Sequence, residues 1–101
     1  MPVVEFSVTA IARDGMLIFA QNRAVPAVPQ PGWTVTGLCD DYSNGCYLVT
    51  RVQLDCSRNV VIVGLDPYER EDVSREVVKT MFLNRGWELR AEQNDYYDPA
   101  A

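Results

Sequence analysis

The sequence predicts an α+β domain: a twisted antiparallel sheet or small open barrel of five to six strands, with one C-terminal amphipathic helix packed on it. Three observations carry this. Period-two alternation recurs through the first 65 residues, turn-forming residues separate the alternating runs, and a single 3.6-period apolar stripe follows them. A chain of 101 residues, 48% hydrophobic and 23% charged, suits one domain that buries its own core without a disulfide or metal. The domain is expected over residues 1–92, and 93–101 read as an acidic, Tyr-rich flexible tail.

The first strand is expected over 3–12, where Val4, Phe6, Val8, Ala10 and Ala12 share one face and Glu5, Ser7 and Thr9 face water. Arg13-Asp14-Gly15 turns the chain into a second strand over Met16–Gln21, because Asp-Gly supplies positive φ at little cost. Residues 24–32 contain Pro26, Pro29 and Pro31, which lack N–H donors, so an extended loop is expected to cross one end of the sheet. A third strand is read over 33–39. Ser43-Asn44-Gly45 then turns into a long fourth strand over 46–56, with Leu48, Thr50, Val52 and Leu54 inward and Tyr47, Val49, Arg51, Gln53 and Asp55 outward. Ser57-Arg58-Asn59 closes a hairpin into Val60–Leu65, whose unbroken apolar run predicts a central strand covered on both faces.

Asp66-Pro67-Tyr68-Glu69 carries a helix-start pattern: a capping Asp, Pro at the first helical position and Glu three residues on. A competing start lies at Asp72, which would leave 66–71 as a separate turn. Val73, Val77, Val78, Met81 and Phe82 form the apolar stripe, and Gly86 supplies the stop. Trp87–Ala91 alternates as a short last strand. The Pro31-Gly32-Trp33-x-Val35 stretch, placed before paired strands at 46–56 and 60–65, is similar to SH3-like small barrels in general.

The chain has no histidine, which excludes Ser-His-Asp and Cys-His nucleophile pairs and imidazole metal sites. Glycine-rich phosphate loops and calcium-loop patterns are also missing, so no cofactor is expected. Cys39, Cys46 and Cys56 match no zinc or redox spacing. They read as three reduced thiols of a cytoplasmic protein, with a Cys39–Cys46 bridge across the hairpin as the alternative. No apolar run approaches the length of a membrane helix, and none resembles a leader peptide. Asp40 and Asp41 read as a solvated hairpin tip rather than an acid-base pair or metal site.

Nine cations against 14 carboxylates give a net charge of −5, which argues against direct nucleic-acid or anionic-membrane binding. The charge is uneven: residues 66–101 hold 9 acidic and 5 basic groups, against 5 and 4 in the preceding 65. The expectation is a non-enzymatic acidic protein that binds, and inhibits or modulates, a larger protein or ribonucleoprotein with a basic surface. The expected contacts are Glu69, Glu71, Asp72 and Glu76, together with Asp95, Tyr96, Tyr97 and Asp98 of the tail. In size, acidity and lack of catalytic residues the chain resembles, in type, small phage-encoded inhibitors of host defence complexes and immunity proteins that neutralise toxins. A rival expectation is a small anion- or nucleotide-binding domain, with Tyr47, Arg51, Trp87 and Arg90 around the ligand and a homodimer completing it. A third is a structural subunit of a virion or other complex.

Overall fold

The computed structural model describes residues 1–38 and 46–94. Its elements in chain order are β1 (Val3–Ala12), β2 (Gly15–Ala24), β3 (Thr34–Val35), β4 (Tyr47–Asp55), β5 (Val60–Leu65), β6 (Tyr68–Arg70), α1 (Arg75–Leu83) and β7 (Glu88–Asn94). The β1–β2 hairpin forms as its pattern dictates, with Ala12 opposite Gly15 and Gly15 at φ 151°. The strands join in the order β3-β4-β5-β1-β2-β7, with β6 also pairing β1. The sheet is antiparallel-rich but mixed, because β1 pairs in parallel with both β5 and β6. β3 and β7 end it without meeting, so the sheet is open rather than a closed barrel, and the SH3-like likeness is not confirmed.

Ten-residue β1 is the spine of the sheet, and its expected inner face holds: Val4, Phe6, Val8, Ala10 and Ala12 are all buried. α1 packs on this face. Phe82 stacks on Phe19 at 4.4 Å between ring centroids and meets Tyr68 edge-on at 5.2 Å. The proline loop covers the other end of the same face, since Val25, Val28 and Val35 pack against the core and Val25 N donates to the Pro2 carbonyl at 2.8 Å.

Several expectations are corrected. The helix does not begin at Asp66. β5 reaches only the Val4–Ser7 half of β1, and the chain kinks at Asp66-Pro67 so that β6 fills the remaining edge, with Tyr68 opposite Ala10. Ladder bonds and the Tyr68–Phe82 contact thus outweigh a local capping pattern. The helix starts after Ser74, whose hydroxyl accepts from Val77 N at 3.4 Å, and Asp14 of the β1–β2 turn accepts from Arg75 N at 2.8 Å. Within the stripe Val78 and Phe82 are buried, whereas Val77 is 48% exposed. β4 is turned over at its start: Val49 is buried, while Leu48 and Thr50 are exposed, and Leu54 near its far end is exposed as well. A register shift between Val49 and Arg51 returns Val52 to the core side. The third strand shortens to two residues, and β7 runs on to Asn94, past the expected end at Ala91.

Candidate functional site

The β1–β2 turn, the β6–α1 corner and the end of β7 meet at one end of the molecule. Arg13 N donates to the Val73 carbonyl at 2.8 Å, Arg70 lies opposite Ala12, and Asn94 lies opposite Gly15. Glu69, Glu71, Asp72 and Glu76 are all exposed at this end. They are not equivalent. Asp72 is gripped by both the Nε and Nη2 of Arg70, at 2.8 and 3.0 Å, and this bond holds its carboxyl down at about 2. Glu76 pairs with Lys79 at 3.1 Å. Glu69 and Glu71 are exposed and have no ion pair among the described residues.

The same end is tied together by further pairs. Glu92 of β7 is held by Lys79 at 2.9 Å and by Arg75 at 3.1 Å, and the bond to Glu92 is the main cause that raises the Lys79 pKa. Asp14 sits below its ordinary range, first because Arg75 N donates to it. Beside Glu76 a shallow groove of about 560 Å³ runs along α1, lined also by Val77, Thr80 and Met81. An anionic surface with an adjoining apolar strip is what a basic protein surface with a nonpolar centre would fit. Asp95, Tyr96, Tyr97 and Asp98 lie outside the described residues.

The rival quartet divides. Tyr47 and Trp87 meet edge-on at 6.1 Å, and Trp87 is buried against Phe82 with its indole N–H lacking a partner among the described residues. Arg51 and Arg90 project from the opposite face of the sheet, so the four do not surround one ligand. Sequence reasoning treated Glu5 as a solvated residue. It is 7% exposed, bracketed by Arg58 (Nη1 at 3.3 Å and Nη2 at 3.4 Å) and by Arg90 Nη2 at 3.2 Å. The sequence signal for this was an acidic residue in the strand that becomes the centre of the sheet. Without the strand order nothing indicated which arginines reach it.

Cys46 and Cys56 are free and exposed, and no cluster of metal-ligating side chains occurs among the described residues. Cys39 and the Asp40-Asp41 turn lie outside them. Among the described residues no helix is long and apolar enough to cross a membrane. No protein-family model, curated protein or solved structure matches the chain.

Proposed function

We propose that the protein is a small, non-enzymatic acidic interaction module that docks one end onto the basic surface of a larger protein or ribonucleoprotein and inhibits or modulates it. The observation that carries this reading is the pairing of Asn94 with Gly15. The β6–α1 corner, which carries Glu69, Glu71, Asp72 and Glu76, and the last residues of β7, which include Glu92, are thereby brought to the same end of the sheet. Glu69 and Glu71 supply unpaired charge there, and the Val77 side of α1 supplies apolar surface. Such a surface steers a basic partner by long-range attraction and holds it by short-range burial. The exposed thiols Cys46 and Cys56 suit a reducing, cytoplasmic setting.

The test is capture from source or host lysate on immobilised wild-type protein and on a Glu69→Lys/Glu71→Lys variant, at low and moderate salt. The reading predicts a stoichiometric protein retained by the wild type, released by salt and lost with the double reversal. Equal capture by both baits would contradict it.

A further inference from the structure

The sheet face turned away from α1 carries three arginines, Arg51, Arg58 and Arg90. The register aligns one row across five strands on this face: Arg51 opposite Gly64, Gly64 beside Ser7, Ser7 opposite Ala20, and Ala20 opposite Glu88. Its three middle positions, Gly64, Ser7 and Ala20, are small, and this low stretch of the row is about 10 Å long at the usual spacing between strands. Arg51 does not extend away from it. A Cβ built on Gly64 would lie 2.7 Å from Arg51 Cγ and 2.8 Å from its Nε, so the side chain lies flat across the glycine toward the centre of the sheet. Glycine inside a strand weakens it and marks a place of close approach. Here the group that approaches is a guanidinium.

From the far side Arg90 reaches over β2 to Glu5, and from the β4–β5 turn Arg58 reaches the same carboxylate. Asp55 holds the outer side of Arg58 at 3.1 Å, and Glu88 that of Arg90 at 3.1 Å. Those two cations are balanced by the three carboxylates. Arg51 is not: among the described residues it makes no hydrogen bond or ion pair. Arg90 in turn engages through Nη2 alone, leaving its Nε and Nη1 donors open. A planar guanidinium fork with no carboxylate bonded to it among the described residues is one half of an oxyanion site, since guanidinium binds carboxylate and phosphate through paired N–H donors.

We propose that this face binds a small oxyanion, a phosphate or carboxylate group, between Arg51 and Arg90 above Ser7. The Glu5 carboxylate, already held by Arg58 and Arg90, keeps the second guanidinium in place. The site is separate from the acidic end and stands or falls independently of it.

The arginine Nε–Hε signals of the full chain report directly on the site. Inorganic phosphate, pyrophosphate and citrate are each titrated at constant ionic strength. Expected are saturable shifts at Arg51 and Arg90, with Arg13 unmoved. Affinity should fall by about tenfold in Arg51→Ala, the value of one charge-assisted hydrogen bond. Arg51→Lys keeps the charge without the fork and is expected in between, while Arg13→Ala should bind as the wild type does. Saturation by the phosphates alone or by citrate alone supports the site and identifies its ligand class. No saturable shift with any of the three, or unchanged affinity in Arg51→Ala, would overturn it.

Discussion

Gly64 interrupts an otherwise apolar strand, and its role is visible only once Arg51 is seen lying across it. The substitution Gly64→Ala places a methyl group against the Arg51 stem, and because that side chain is exposed, unbonded among the described residues and able to swing aside, the cost is expected to be about 1 kcal/mol or less. In an Arg51→Ala background the obstruction is gone, so the same change should cost less still. Chemical denaturation of the four proteins of this cycle measures the difference. Asp55 and Asp72 offer a second test. Bonds from Ser57, then Arg58, hold Asp55 at about 2, and Arg70 does the same for Asp72. Both carboxyls bind protons less readily in the folded chain than at their ordinary value of 3.8. Their stabilising contribution is therefore complete above about pH 4 and is lost as pH falls toward 2. Carboxyl chemical shifts followed through that window should show midpoints near 2 for both residues, and midpoints near 4 would contradict the bonding described. At this scale the sequence was legible where burial follows alternation, as along β1. It was not legible for Glu5, because a carboxylate on an alternating strand looks solvated until two arginines from distant segments close over it.

α1 illustrates what an element owes to its surroundings. A nine-residue helix is too short to persist alone, so its start is fixed by what lies next to it in space. Ser74 caps it locally and Asp14 caps it from the β1–β2 turn, whereas the stronger-looking Asp66-Pro67 pattern was taken over by β6. Replacing Ser74 by Ala is expected to cost about 1 kcal/mol, as lost N-caps do. Phe82→Ala, which removes a ring touching Phe19, Tyr68 and Trp87, should cost about 3–5 kcal/mol, and exposed Val77→Ala much less. Thermal or urea unfolding of the three variants checks that order. The apolar stripe showed that a helix exists and that Val78 and Phe82 face inward. The helix start and the facing of β4 were hidden for a shared reason. Each depends on a partner strand, in one case the unfilled half of β1 and in the other the register shift against β5, and no local pattern encodes those.

At the scale of the whole molecule most charges are paired, and among the described residues Glu69 and Glu71 stand without an ion pair at one end while Arg51 does so on the sheet face opposite α1. Carboxylates concentrate where the β1–β2 turn, the β6–α1 corner and the end of β7 meet, while Arg51, Arg58 and Arg90 share the sheet face opposite α1. Composition revealed the excess of acid in the last third of the chain. The meeting of segments 69–76 and 88–94 needed the β2–β7 register, which no spacing in the sequence expresses. The docking reading rests on that convergence, and hydrogen exchange of the protein, free and bound to the partner that it captures, tests it most directly. The prediction is protection confined to 66–78 and 88–94, together with the β1–β2 turn. Protection confined instead to the β3–β4 edge, with the acidic end exchanging as in the free protein, would contradict it.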